Sequence, residues 1–189
     1  LGGVPAAASP LGERGLAERD AVGARFRRGQ AVHALLQHLP GLPEAARGEA
    51  ARRWLERSGV DDAEAVAGEV LAVLAHPALA PLFGPRGRAE VPLTGVAGGQ
   101  VIGGLVDRLA VLEDRVLVAD YKTNRAPPAD LSQVPVLYLR QMAAYRAVLR
   151  QVFPGLAVEC ALVWTVGGAV MVLPDSLLDS HAPGVRAAA

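Results

Sequence analysis

Hydrophobic positions in the first part of the chain recur every three or four residues, the spacing of one helix face. Val32, Leu35, Leu36 and Leu39 form such a run from Arg27, and Pro40-Gly41 stops it. A second helix is predicted over Pro43 to Arg57, with Trp54 and Leu55 on its apolar face and Ser58-Gly59 as its exit. Asp61 or Asp62 then caps a third, whose Val66, Val70, Leu71 and Leu74 turn to the core before His76-Pro77. The period next shortens to two. Glu90 to Thr94, Val101 to Leu112 and Arg115 to Lys122 read as strands, the last two joined at Glu113-Asp114. Asn124 to Pro128 breaks the sheet. A long helix follows over Leu131 to Val152, with Leu137, Met142, Tyr145, Val148 and Leu149 toward a core, and a hairpin pairs Val158–Val166 with Ala169–Leu173 around Gly167-Gly168. The fold class expected is α/β (α+β): a mixed central sheet flanked by helices, with an N-terminal helical part. A Gly-, Ala- and Pro-rich arm is expected over 1–25, a folded domain over 26–175 and a frayed tail over 176–189.

Composition narrows the class of protein. With 51% hydrophobic and 20% charged residues, the 189-residue chain can bury one core, and two full domains would be a squeeze. Cys160 is the only cysteine, which excludes disulfides, Cys-rich zinc sites and a Cys-ligated iron–sulfur cluster within the chain. Lys+Arg and Asp+Glu number 19 each, so the basic excess of many nucleic-acid binders is missing, though a local patch is compatible with that balance. The most apolar stretch, Val158 to Leu173, carries Glu159 and the Gly167-Gly168 break and is too short to span a membrane. Residue 1 is Leu and no secretory signal follows it, so the chain is expected to be a piece of a longer protein. Lys122 is the only lysine among the 19 basic residues. The arginine excess needs no physics beyond coding bias, but it marks Lys122 as a position where a guanidinium does not serve.

Asp107 and Asp120 sit in otherwise apolar strands, where an unpaired charge costs several kcal/mol. The hairpin between them can carry both to one end of the sheet, and alternation puts Asp120 and Lys122 on one face with Tyr121 on the other. One outcome is a plain strand-end ion pair among Asp120, Lys122 and Arg108. The other is a metal site: carboxylate oxygens are the hard ligands that Mg²⁺ or Mn²⁺ prefers, and such an ion lowers the pKa of bound water and offsets charge on a phosphodiester. Lysine suits that site as a compact point charge with a movable pKa, unlike arginine.

Asp107 followed by Asp120-Tyr121-Lys122 resembles the D…(D/E)-x-K pattern of the PD-(D/E)xK nuclease superfamily. Four further stretches resemble the nuclease domain of AddA/RecB-type helicase–nucleases: Arg28-Gly29-Gln30-Ala31-Val32-His33, Ala89-Glu90-Val91-Pro92, Gly104-Leu105-Val106-Asp107-Arg108-Leu109, and Tyr138 to Tyr145 with its Q-x-x-x-Y spacing. The resemblance implies a restriction-endonuclease-like core and a DNA exonuclease that processes double-strand ends. It implies a Mg²⁺ or Mn²⁺ held by His33, Asp107, Asp120 and the Tyr121 carbonyl, with Lys122 as the catalytic lysine and Glu90 as an assisting acid. Gln141 and Tyr145, four apart on one helical face, would hold DNA or support the site, and Thr123 and Asn124 would meet phosphates. It further implies partners: DNA as a single strand, helicase domains of the same polypeptide and an AddB-type subunit, in a bacterial cytoplasm, with no membrane. The nucleotide site would lie elsewhere, because no G-x-x-x-x-G-K-[ST] loop occurs here.

Each assignment has a blander counterpart. Seen alone, His33 reads as a packed core or surface histidine, Glu90 as an edge-strand charge and Tyr145 as core. Trp54 and Trp164 read as packing residues, and the arginines at 25, 27, 28, 52, 53, 57, 140, 146 and 150 as solvated faces or phosphate contacts. At the level of the whole chain, the alternatives are a non-catalytic module of the same fold and a stand-alone nuclease.

Overall fold

A computed structural model describes the backbone of residues 12–123 and 126–185, with side chains from residue 22 onward. The helices are α1 (Gly12–His38), α2 (Glu44–Arg57), α3 (Ala63–Ala75), α4 (Ala80–Phe83), α5 (Val136–Val152) and α6 (Asp175–Asp179). The strands are β1 (Gly87–Ala97), β2 (Gln100–Val111), β3 (Arg115–Lys122), β4 (Ala157–Trp164) and β5 (Ala169–Leu173). They form one mixed sheet in the order β1-β2-β3-β4-β5, antiparallel except where β3 runs parallel to β4 through the α5 crossover. Among the described residues, no single helix is long and apolar enough to cross a membrane.

Two apolar layers clamp the sheet. On one face α5 and α6 pack Met142, Leu149 and Leu178 against Val116, Val118, Leu162 and Trp164. On the other, α1 to α4 pack Val32, Leu36, Leu55 and Val70 against Ala110, Ala119, Tyr121 and Val163. The alternation Val116, Val118 to one side and Ala119, Tyr121 to the other is the period-two signature of a strand buried on both faces.

On β2 that alternation slips. Val106 and Leu109 both face α5, whereas Ala110 belongs to the opposite layer and Arg108 reaches across it to the carbonyls of Leu82 and Leu36. The change of phase falls at Asp107. Across the ladder, between the pairs Ala89↔Arg108 and Val91↔Val106, Glu90 adopts the left-handed φ of 51°, a conformation non-glycine residues rarely take. The break turns the Asp107 and Glu90 side chains out of the alternating pattern and toward α1.

Several expectations shift. The helix expected from Arg27 begins at Gly12, inside the segment read as an arm. Its added residues, GERGLAERDAVGARF, include strong helix formers, but their large apolar residues, Leu16, Val22 and Phe26, are too sparse to make a stripe that a pattern reading detects. Two short helices, α4 and α6, add to the expected elements, and α5 starts at Val136 behind a 3-10 turn at Leu131–Gln133. Leu137, expected in the core, is 74% exposed on the first turn of α5, and Trp54 is 46% exposed beside the buried Leu55. Asp62 occupies the start of α3, but its side chain makes no capping hydrogen bond.

Two glycines let α5 lie close on β1 and β2. A Cβ at Gly95 would stand 2.7 Å from Val148 Cγ1, and one at Gly104 would stand 2.5 Å from Tyr145 Oη and 2.7 Å from its ring. Gly104→Ala is therefore expected to displace Tyr145 and destabilise the protein by about 1–3 kcal/mol. Urea unfolding would show a lower midpoint at unchanged slope; an unchanged midpoint would mean the helix is not seated as described.

Candidate active site

The site is assembled from α1, the β1–β2 break, the end of β3 and α5. Asp120 and Lys122 project from β3 toward α5, both buried, and their side chains form an ion pair. Lys122 Nζ also donates to Gln141 Oε1 at 3.3 Å and lies 3.8 Å from the centroid of the Tyr138 ring, a cation–π geometry. The line continues: Gln141 Nε2 donates to Tyr145 Oη at 3.2 Å, and Tyr145 Oη donates to the Leu105 carbonyl at 3.3 Å. This series fixes the orientation of the Gln141 amide, so that its oxygen faces Lys122. Asp120 Oδ2, although in contact with the ammonium, has no donor aligned on it as a hydrogen bond among the described residues.

On the other side of β3 stands His33, carried there by α1. The helix can come this near the sheet because residue 29 is a glycine: a Cβ at Gly29 would lie 3.0 Å from Thr123 Oγ1, at the end of β3. Arg28 fastens the approach, its guanidinium donating to the Thr123 carbonyl and pairing with Glu69 of α3. Farther along α1, His33 Nδ1 lies 3.2 Å from Asp107 Oδ1 and 3.9 Å from Glu90 Oε1, and its ring stands edge-on to Tyr121 with centroids 5.6 Å apart. Asp107 is held from the far side as well: its Oδ2 accepts the Tyr121 amide N–H at 2.7 Å, beyond Arg108↔Ala119, where the β2–β3 ladder ends.

The charges perturb one another. Burial works against a charged His33, but the hydrogen bond and charge of Asp107, with Glu90 and Asp120, outweigh it and hold the imidazole above its ordinary pKa. Burial and then repulsion by Asp107 raise Glu90. Burial raises Asp120 despite the attraction of Lys122. Burial is thus the leading cause of both raised acids, with repulsion by Asp107 adding to it, while the same carboxylates hold the imidazole toward its cation.

Among the described residues, one group of potential metal ligands comes together: His33, Glu90 and Asp107, whose ligand atoms all lie within 4.8 Å of one another. Two carboxylates and an imidazole fit Mg²⁺ or, better with nitrogen present, Mn²⁺. The tight group shares His33 and Asp107 with the expected set and holds Glu90 in addition, with Asp120 and the Tyr121 carbonyl outside it. Glu90 stands in the place expected of Asp120, because the left-handed turn at Glu90 swings it to His33 while Asp120 is drawn to Lys122. Tyr121 meets the cluster through its N–H, and its hydroxyl is buried in the α1–α4 layer without a partner among the described residues. Arg108 is not part of an ion pair with Asp120 and Lys122; its guanidinium lies over the Phe83 ring and bonds carbonyls on the α1 and α4 side. Thr123 lines the cleft beside His33 and Glu90, and Asn124 lies outside the described residues. Pattern reading missed the clamping role of Arg28 and the place of Tyr138 in the site. Tyr138 had a usable signal, since it stands three residues before Gln141 and so on the same helical face.

The chain matches the family model of the PD-(D/E)XK nuclease superfamily over residues 11–187. No curated protein matches it. Among solved structures it is similar to a candidate exonuclease of Eubacterium rectale, at 16% identity and a TM-score of 0.43 over 77% of this chain, and it spans 62% of that protein's length. It is also similar to the protein SSO0001, at 17% identity and a TM-score of 0.34, over 82% of this chain and 83% of that one.

Glu90→Gln separates the charge balance from the fold. Because the folded protein raises the pKa of Glu90, its ionised form costs stability at neutral pH, a cost relieved as pH falls through the raised value. Without divalent ions the variant is expected to melt at or above the parent temperature, whereas added Mn²⁺ should raise the melting temperature of the parent more than that of the variant. Equal Mn²⁺ shifts would remove Glu90 from the ligand set.

Proposed function

The chain belongs to the PD-(D/E)XK nuclease superfamily, and from that premise we propose that it is a divalent-metal-dependent deoxyribonuclease that degrades DNA from its ends. The observation that carries this reading is the meeting of His33, Glu90 and Asp107 beside the Asp120–Lys122 pair, from separate elements of the fold. His33, Asp107 and Glu90 hold the metal in this reading, with Asp120 and the Tyr121 carbonyl as the further ligands that the family resemblance implies. When bound, the ion activates water and offsets charge on the phosphate.

The protein's own groups do the rest. Lys122, kept in place by Gln141 and the Tyr138 ring, points its amine at the Asp120 carboxylate, where it orients the attacking water and balances negative charge on the phosphate. Water oxygen bonds to phosphorus and gives up one proton, the phosphorus–oxygen ester bond opposite it breaks, and the leaving oxygen takes up one proton, so that the phosphate keeps the hydroxyl and the leaving group departs as an alcohol. Gln141 and Tyr145 act as supports in this scheme, and Thr123, with Asn124, as phosphate contacts.

The finer proposal is that this domain works within an AddA-like helicase–nuclease, together with helicase domains of the same polypeptide and an AddB-type subunit, in a bacterial cytoplasm. The ordered stretches around His33, Glu90, Asp107, Lys122 and Gln141 support it. A stand-alone nuclease is the second reading, equally compatible with a site built from residues of this chain.

Incubation of the chain with end-labelled single-stranded DNA and Mn²⁺ tests the reading. Cleavage is expected, and Lys122→Ala should slow it by about a hundredfold or more while the circular dichroism spectrum stays unchanged. Equal cleavage by the two proteins would place the chemistry elsewhere, and no cleavage by the parent would favour a non-catalytic module.

A further inference from the structure

The cleft that reaches His33 and Glu90 continues along α1 to a patch the proposed chemistry leaves unused. It encloses about 660 Å³, and its α1 wall carries Val22, Arg25, Phe26 and Gln30 before it arrives at His33, with Thr123 opposite. Val22, Phe26 and Gln30 succeed one another at intervals of four, and Phe26 and His33 are seven apart, so all share one helical face. At 1.5 Å per residue Phe26 stands about 10 Å along the axis from His33. It is 65% exposed, more than any other aromatic residue among those described.

An aromatic ring left in water about two helical turns from a candidate metal-binding group has a limited set of partners. Two apolar side chains interrupted by a guanidinium and an amide are far less than the roughly 800 Å² per partner of a stable protein interface. The lining also has a charge pattern: among the described residues Glu90 is its only carboxylate and belongs to the candidate metal-binding group at His33, so the Phe26 end presents a cation and no anion. A flat π-face next to an anionic backbone matches that pattern, and a nucleotide supplies both.

We propose that Phe26 is a stacking platform for an unpaired nucleobase of the strand whose phosphate lies at the His33 cluster, with Arg25 beside it to meet the backbone. The proposal rests on the nuclease reading and narrows it. In a duplex both faces of each base are covered by its neighbours, so a ring near the His33 cluster favours a strand that has already been separated. Because every base has a π-face, the preference is independent of sequence.

Binding in EDTA, where a nuclease that needs a divalent ion leaves its substrate intact, tests this without cleavage. The probe is a short end-labelled oligothymidylate, followed by fluorescence anisotropy, alongside an oligomer of the same backbone in which every base is replaced by an abasic residue. Phe26→Ala is expected to weaken binding of the oligothymidylate by roughly tenfold, Phe26→Tyr to retain it, and neither to change binding of the abasic strand. Equal affinity of the parent and Phe26→Ala for oligothymidylate would overturn the proposal, as would an equal loss on the abasic strand. In both cases Lys122-dependent cleavage with Mn²⁺ would leave the nuclease reading standing. A parent protein that neither binds nor cleaves the strand would overturn both.

Discussion

Asp107 is gripped from two sides, and the site depends on that grip. One carboxylate oxygen takes the Tyr121 amide and so continues the β2–β3 connection past the end of its ladder; the other faces His33 and ties the sheet to α1. A carboxylate placed there satisfies a backbone donor that the ladder has abandoned, in a partly buried setting. Both the unusual turn at Glu90 and the close approach of α1 at Gly29 serve to bring further groups to it. Loss of the Asp107 side chain would uncouple three elements at once.

The charged groups are sorted by the two faces of the sheet. Lys122 lies on the α5 face, paired with Asp120 and held by an amide and an aromatic ring, while Arg108 lies on the opposite face, occupied by carbonyl oxygens and Phe83. The two cations are therefore not interchangeable. A planar guanidinium suits the fixed carbonyls, and a compact ammonium suits the place where the proposed chemistry would bring a phosphate and a water.

Much of this was legible in the sequence. Strand periodicity located β3 and its shared Asp120–Lys122 face, and the order of helices and strands indicated an α/β or α+β domain, while the parallel pairing of β3 with β4 is seen only in the structure. The membership of the tight cluster was not legible, because it follows from a change of phase at Asp107 and a left-handed Glu90 that no hydrophobic pattern encodes. The reach of α1 back to Gly12 was hidden for a related reason: its first turns have helix-forming composition without an apolar stripe. Leu137 failed as a core residue because α5 begins only one residue before it, where a side chain can point past the edge of the layer.

The most direct test of the account is a crystal of this protein soaked in Mn²⁺ and measured at the manganese absorption edge. The account predicts one anomalous peak bonded to His33 and Asp107, with Glu90 or Asp120 beside it. A peak among other carboxylates, such as Asp175 and Asp179, with the His33 site empty would contradict it.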